Sequence, residues 1–310
     1  MTDAGGPDAP HVTVVSTGFT YPEGPCFDAA GVLYTVELAG GVVSRTIDGE
    51  REVWVRPGGS PNGAAFGADG TLYFCNNGGN WGPNASTGMI AGLGGQPALI
   101  QSVDPAGVVS TVADSCDGQP LNGPNDLVLD GFGGIWFTDP AWAPRDAAGS
   151  APASASPPGA VRYVGADGVV TIVRDDLVFP NGIAITPEGD RLVVGETGTG
   201  DILVADLIAP GRVGDWSIYA RLGEQSFPDG MCFDARGRLI VAGTGSGRLF
   251  VVGALGSVER EIPMDDRDLT NVCFGGPDFS TLFVTQAETG RVVSLAWDFP
   301  GSPLAVQPLR

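Results

Sequence analysis

Six side chains that carry oxygen donors recur at one position of a repeated sequence pattern. Each occurrence starts with an acidic or amide residue, is followed eight positions later by glycine in five of the six cases, and contains a short apolar run. Successive occurrences are separated by 39, 63, 56, 48 and 42 residues, so the repeating unit has about 50 residues with variable insertions. We call the first residues of these units the lead residues: Glu23, Asn62, Asn125, Asn181, Asp229 and Asn271.

The lead residues offer only carboxylate and amide oxygens, which favour a hard cation. Calcium accepts about six to eight oxygen ligands in irregular geometry, whereas magnesium requires a stricter octahedron. We therefore expect one divalent cation, Ca2+ in preference to Mg2+, Mn2+ or Zn2+, which would also offset the repulsion between Glu23 and Asp229. An Asn or Asp beside glycine often merely satisfies a turn, but six such residues in register favour a shared site.

The pattern predicts strands to position these residues, because apolar and polar residues alternate on both sides of turns rich in Asp, Gly and Pro. Each unit continues into a second hairpin, as in GAVRYVGADGVVTIVRDD, which gives four strands per unit. Six such units predict an all-β six-bladed propeller, as a single domain over residues 1–310. A strand at about 12–18 would close the last blade. Because each lead residue begins an innermost strand, all six would meet at one end of the central channel.

Two insertions interrupt the predicted repeat, at about 80–103 and at about 146–160. The first carries Trp81 and Met89, and the second is a tract of Ala, Ser and Pro with too little apolar surface to pack. Each is interpreted either as a surface loop or as a cover over one face of the propeller.

Four motifs resemble those of a known family: YPEGP, NGPNDLVLDGFGGIWFTDP, FPNGIAITPEGDRLVV and FPDGMCFDARGRL. In this order they resemble the regucalcin–gluconolactonase family, also called the senescence-marker/luciferin-regenerating family, over about residues 20–300. The resemblance implies a six-bladed propeller that hydrolyses sugar lactones and holds one divalent ion, often calcium, at the top of its channel. It also implies that Glu23, Asn181 and Asp229 are metal ligands, with Asn125 as a further ligand or a substrate contact.

On this resemblance Asp229 is the catalytic residue, as a general base or as a nucleophile on the lactone carbonyl. The cation would act as a Lewis acid and stabilise the tetrahedral oxyanion. Two alternatives stay open. One is a phosphotriesterase-like hydrolase that uses the same residues, since the related diisopropylfluorophosphatases share fold and site. The other is a calcium-binding propeller module without catalysis.

The predicted substrate is a sugar lactone or a less polar lactone or ester. Sugar-lactonase members commonly have an arginine two residues before the asparagine of PND, and this chain has Gly123 there. That difference weakens the expectation of an aldonolactone. The substrate-binding residues are predicted to be Asn62, Asn125, Asp126, Trp142 and Phe179.

The composition excludes several classes of partner and site. With 16 basic and 36 acidic residues the net charge is -20, so nucleic acid and anionic membrane surfaces are disfavoured. The single histidine, His11, precedes the first unit and gives little support to a Ser-His-Asp triad or a zinc centre built on histidine. Five cysteines without a recognisable secretory signal predict reduced thiols and a cytoplasmic protein. The expected partner is a small-molecule substrate, and the oligomeric state is left open.

Overall fold

The computed structural model describes residues 11–79, 81–82, 90–91, 96–141, 157–223 and 225–302. These residues form six antiparallel sheets, each with four main strands. The first strand of each sheet contacts the first strands of both neighbouring sheets, and these contacts close into a ring. The predicted all-β six-bladed propeller is therefore confirmed, with the first strand of every blade beside the central channel. None of the described segments is a helix long and apolar enough to cross a membrane.

The first strand of the chain, β1 (Val12–Thr17), belongs to the last blade, and the following strands build blades one to three. Blade one contains β2 (Pro22–Phe27), β3 (Leu33–Glu37), β4 (Val42–Ile47) and β5 (Glu50–Val55). Blade two contains β6 (Pro61–Phe66), β7 (Leu72–Asn76), β10 (Leu99–Val103) and β11 (Val109–Ala113). Blade three contains β14 (Leu127–Leu129), β15 (Ile135–Asp139), β16 (Gly159–Val164) and β17 (Val170–Leu177).

Blades four to six follow the same order from the channel outward. Blade four contains β18 (Pro180–Ile185), β19 (Arg191–Glu196), β20 (Asp201–Ala209) and β22 (Ser217–Arg221), with the short β21 (Arg212–Val213) also paired to β20. Blade five contains β23 (Pro228–Phe233), β24 (Leu239–Gly243), β25 (Arg248–Val252) and β26 (Val258–Pro263). Blade six contains β27 (Leu269–Gly275), β28 (Thr281–Gln286) and β29 (Arg291–Ala296), and β1 pairs antiparallel with β29 as its outer strand.

The first predicted insertion ends earlier than expected. Residues 99–103, which the sequence pattern placed inside it, form β10 and pair with β7 as the third strand of blade two. Ile100 and Gln101 are both buried, so this strand lacks the alternation that would have revealed it. Two short hairpins complete the described part of the chain: β8 (Trp81–Gly82) with β9 (Ile90–Ala91), and β12 (Ser115–Cys116) with β13 (Gln119–Pro120). Most of the second predicted insertion, 146–160, lies outside the described residues.

Six apolar clusters hold the propeller together, one between each pair of neighbouring blades. Between blades two and three, for example, Ile100 and Phe137 share one cluster and are both fully buried. Burial of each such side chain stabilises the fold by about 1.5–3 kcal/mol. In blade five, for example, the inner strand β23 is almost wholly buried, whereas the outer strand β26 is mostly exposed. The blade interfaces therefore hold the inner strands, and with them the lead residues, in fixed positions.

Candidate active site

Each lead residue lies where the inner strand of its blade departs from regular pairing. In blades one, two, four, five and six, the register between the first two strands shifts beside the lead residue, as between Glu23 and Cys26. In blade three, β14 begins at Leu127, two residues after Asn125. A bulge bends a strand and re-aims its side chains. The irregular start of the inner strands thus frees the lead side chains from the sheet faces, and all six are buried at one end of the channel.

Three threonine hydroxyls fix the start of the inner strand in the next blade. Each donates to a backbone carbonyl at 2.7 Å, in the pairs Thr270–Pro22, Thr138–Asn181 and Thr197–Pro228. The strands held in this way carry Glu23, Asn181 and Asp229. Three of the four residues that the family resemblance assigns to metal binding therefore lie on strands that a threonine hydroxyl anchors across a blade interface.

Three buried carboxyl groups, those of Glu23, Asp126 and Asp229, repel one another at this end of the channel. Burial is the main cause that raises the pKa of Glu23 to about 8, and repulsion from Asp126 is the next. Burial raises the pKa of Asp126 to about 7. The pKa of Asp229 is raised by burial and by repulsion from both Glu23 and Asp126. Without a compensating cation, these groups therefore hold protons near neutral pH.

Asp126 belongs to this cluster because it occupies the position directly after the lead residue, where four other blades have glycine. The lead residue is followed by glycine in blades one, two, four and five, and by Asp126 in blade three. A Cβ atom at Gly63, the glycine of blade two, would overlap the Asp126 carboxylate. Asp126 was predicted to bind substrate, and the structure places it among the carboxylates. The change from PNG to PND is the sequence signal of this third acidic group.

Asn271 connects two of the carboxyl groups. Its Nδ2 donates to Oε2 of Glu23 at 3.0 Å, and its side chain also bonds to Asp126, which lowers the pKa of that group. Its Oδ1 accepts from the backbone N–H of Val272 at 2.8 Å. The predicted site omitted Asn271, although its register among the lead residues identified its position.

Two other amide side chains at this end have buried oxygens without a hydrogen-bond partner. The Asn181 side chain bonds to Asp229 and lowers the pKa of that carboxyl, while Oδ1 of Asn181 is buried with no partner. Oδ1 of Asn62 is buried without a partner in the same way. A buried unpaired oxygen costs about 1–3 kcal/mol, so each of these atoms calls for an explanation such as an ion.

The residues present fit a cation, although carboxylates alone do not define its site. When only His, Cys, Asp and Glu are counted, the described residues contain no group of three placed to hold a metal ion. The predicted donors, however, include amides. Among the described residues, no basic side chain contributes to the pKa of Glu23, Asp126 or Asp229. A cation beside the unpaired Asn181 oxygen would offset their charge, and this set of oxygen donors suits Ca2+ or Mg2+.

Asn125 and Asp139 have different places at this end of blade three. Asn125 is buried among the lead residues, and its backbone carbonyl accepts from the N–H of Gly63 at 2.7 Å. Asp139 instead accepts from the N–H of Gly123 at 2.8 Å and pairs with Arg162 at 2.7 Å. Asp139 therefore anchors the loop that precedes Asn125.

The two predicted aromatic substrate contacts fare differently. Phe179 lies two residues before Asn181 and is partly exposed. Trp142 lies outside the described residues, and of Trp81 only the backbone is described.

Below the carboxyl groups the channel is mainly apolar. It contains a cavity of about 170 Å3 lined by residues from the first strands, including Cys26, Cys232 and Cys273, with Asp126 and Asn271 also at its wall. Burial raises the pKa of all three thiols. All five cysteines are free. The lower channel therefore holds neutral thiols in an apolar setting.

Comparison with known proteins relates most of the propeller to one family. Residues 21–288 match the SMP-30/Gluconolactonase/LRE-like region. The diisopropyl-fluorophosphatase of Loligo vulgaris is 27% identical to the chain, over 97% of this chain and 96% of the relative. The gluconolactonase of Zymomonas mobilis is 24% identical, over 88% of this chain and 78% of the relative.

Solved structures of similar proteins superpose on this chain over most of its length. A gluconolactonase from Xanthomonas campestris superposes with a TM-score of 0.75 and 26% identity, over 93% of this chain and 89% of that chain. Regucalcin from Agrobacterium tumefaciens, described as a calcium-binding protein, superposes with a TM-score of 0.74 and 19% identity over 95% of both chains. The second likeness concerns the fold alone.

Proposed function

Because this chain belongs to the SMP-30/Gluconolactonase/LRE-like family, we propose that it opens a lactone or a related ester by metal-dependent hydrolysis. One observation supports this most strongly: three buried carboxyl groups that repel one another lie at the same end of the channel as an unpaired amide oxygen, that of Asn181. A structural role alone does not require charged groups that repel one another in a buried place, because such an arrangement costs stability.

Glu23, Asn181 and Asp229 would hold the cation, Ca2+ in preference to other divalent ions, with Asn125 as a further ligand or a substrate contact. When bound, the cation polarises the substrate carbonyl and stabilises negative charge on its oxygen. The hydrogen bonds from Asn181 and from the N–H of Gly230 orient the Asp229 carboxylate. The bond between Asn271 and Glu23 holds the second carboxylate in place.

Asp229 acts in this proposal as the general base. It takes a proton from water as the water oxygen bonds to the carbonyl carbon. The ring C–O bond then breaks, and the leaving oxygen takes the proton from Asp229, which gives the hydroxy acid and restores the carboxylate. In the alternative route Asp229 attacks the carbonyl carbon itself, the ring C–O bond breaks to give a mixed anhydride, and water then attacks the Asp229 carboxyl carbon and releases the hydroxy acid. A single turnover in heavy-oxygen water distinguishes the two, since only the second leaves the isotope in the Asp229 side chain.

A second candidate function is hydrolysis at phosphorus. The similarity to the diisopropyl-fluorophosphatase of Loligo vulgaris, which spans 97% of this chain, favours it. The same carboxylate would activate water next to a phosphoryl oxygen in place of a carbonyl oxygen.

The test is hydrolysis of a panel of sugar lactones, alkyl lactones, aryl lactones and diisopropyl fluorophosphate, with metal and with chelator. We expect lactone opening that chelation abolishes and added Ca2+ restores. Turnover of the fluorophosphate alone would favour the second candidate. Tight Ca2+ binding without turnover of any compound would show a calcium-binding module and refute the hydrolase.

A further inference from the structure

Three aromatic residues in the same repeat position adopt a left-handed backbone conformation that residues other than glycine rarely adopt. Tyr21, Phe179 and Phe227 have φ angles of 60°, 56° and 44°. Each lies two residues before a lead residue and directly before a proline, in YPE, FPN and FPD. The blades concerned are one, four and five, which are those that carry Glu23, Asn181 and Asp229.

This conformation is costly for an aromatic residue. A left-handed backbone at a residue other than glycine costs about 1–3 kcal/mol and persists only where the surroundings enforce it. Such strain concentrates at ligand-binding positions. The strain recurs at three equivalent places, so it is a regular feature of this end of the propeller.

Hydrogen bonds hold the backbone in this conformation. The carbonyl of each aromatic residue accepts from the first residue after the second strand of its blade, in the pairs Tyr21–Leu38 at 3.0 Å, Phe179–Thr197 at 3.0 Å and Phe227–Thr244 at 3.1 Å. In blade one, Glu37 accepts from the N–H of Thr20 at 2.8 Å. In blade four, Glu196 accepts from the N–H of Val178 at 2.7 Å. The rings are thus carried by a rigid backbone.

The other blades have no aromatic residue at this position. Blades two and three have Ser60 and Gly123 there, and blade six has Leu269, which is fully buried in β27. The end of the channel is therefore asymmetric. Small residues lie beside Asn62 and Asn125, and aromatic residues lie before Asn181 and Asp229. Phe227 is 37% exposed, so part of its side chain is accessible at this end.

We propose that Phe179 and Phe227, on the adjacent blades four and five, form an aromatic wall that binds an apolar substituent of the substrate. The preferred substrate is then a lactone or ester with an alkyl or aryl group rather than a polyhydroxylated sugar lactone. Rigid aromatic side chains give apolar contact at little entropic cost, and Gly123 offers no side chain to bind hydroxyl groups. This proposal rests on the hydrolytic function proposed above.

The test exchanges each ring for a residue that tolerates the same backbone. Asparagine adopts the left-handed region more readily than most residues, so Phe179→Asn and Phe227→Asn remove the ring without new strain. For an aryl-substituted lactone we expect KM to rise about tenfold in each variant with little change in kcat. For gluconolactone KM should stay at the parental value. Phe227→Tyr keeps an aromatic ring and should behave like the parent. Phe132→Asn is the control, because Phe132 is exposed in the turn between β14 and β15, at the opposite end of the channel.

A binding measurement separates this proposal from the hydrolytic one. Calorimetry with the aryl hydroxy acid and with gluconate, both products of the reaction, needs no turnover. The parent should bind the aryl acid more tightly, and Phe227→Asn should lose that preference while its melting temperature stays within a few degrees. Equal loss of affinity for both acids, or no loss for either, would overturn the aromatic wall. An inactive parent that still prefers the aryl acid would refute the hydrolytic function and leave the wall intact.

Discussion

The two ends of the central channel are built from the same six strands, and both bury titratable groups, but with opposite consequences for reactivity. At the upper end burial brings the pKa of Asp126 to about 7 and that of Glu23 to about 8. At the lower end burial raises the pKa of the Cys26, Cys232 and Cys273 thiols further above neutrality. Burial therefore brings the pKa of the carboxyl groups close to neutral pH, where they can exchange protons or bind metal ions. The same burial keeps the thiols protonated and unreactive.

The backbone explains why the ends differ. At the upper end the pairing shifts register at the lead residues, and hydroxyls such as that of Thr270 tie neighbouring blades together. Two or three residues later the pairing is regular again, and small or apolar side chains fill the channel. Backbone that is irregular but anchored holds the functional groups in place, whereas the regular strands pack against one another.

The largest expected effect of a single substitution is that of Asp229→Asn at the upper end. The amide keeps the shape and one oxygen ligand but removes the base, and loss of a positioned base costs about 10²–10⁴ in rate. We expect kcat on lactones to fall by that range while metal content, measured by atomic absorption, stays at least partly in place. Parental turnover in this variant would show that the proposed mechanism is wrong even if the metal site is right.

Glu23→Gln should affect metal affinity before anything else. It replaces one carboxylate by a neutral amide of nearly the same shape, so the fold should remain while the Kd for Ca2+, measured by calorimetry, rises at least tenfold. The matched control is Glu52→Gln, since Glu52 forms an exposed ion pair with Arg45 on blade one. Equal affinities in both variants would remove Glu23 from the ligand set.

The repeat made the fold predictable, and the site only in part. Glycine eight residues after five of the six lead residues marks the hairpin turns, and at this position Gly31 has a φ of 80°. Blade six keeps the same left-handed turn with Phe279, φ 59°, so its geometry survives the loss of the glycine signal. Register in the repeat likewise identified the lead residues.

What the sequence did not reveal depends on contacts between blades. The bond from Asn271 to Glu23 joins residues 248 positions apart in the sequence, and no local pattern records it. The clustering of Asp126 with Glu23 requires the room left at Gly63 in the neighbouring blade. The left-handed backbone of Phe227 is held by a hydrogen bond from Thr244 in the turn after β24, which local propensity does not show.

The pH dependence of stability should distinguish the carboxyl groups of the upper end from the thiols of the lower end without any substitution. The folded pKa values of Glu23 and Asp126 lie above their ordinary values of 4.5 and 3.8, so the folded state binds more protons than the unfolded state in between. Stability of the metal-free protein should therefore fall as pH rises from about 5 to about 8. Saturating Ca2+ should reverse this trend, since a ligand at a hundredfold excess over Kd stabilises by about 2.7 kcal/mol. Scanning calorimetry across this range, with chelator and with Ca2+, is the measurement. Coincident melting temperatures in the two series would count against the cation site.

The smallest effect is expected at the lower end, from Cys273→Ala. Cys273 lies on β27, two residues after Asn271, and lines the cavity, where it is only partly buried. Loss of its sulfur should lower the free energy of unfolding by about 1 kcal/mol or less, because the cavity already leaves part of its surface without neighbours. Cys75→Ala is the matched variant, since Cys75 is fully buried between blades two and three and its loss leaves a new void that costs more. Denaturant unfolding should rank the two in that order, while both keep parental Kd for Ca2+ and parental kcat/KM.

If Cys273→Ala weakens Ca2+ binding as strongly as Glu23→Gln does, the two ends are energetically coupled. The division between a reactive upper end and an inert lower end would then be wrong.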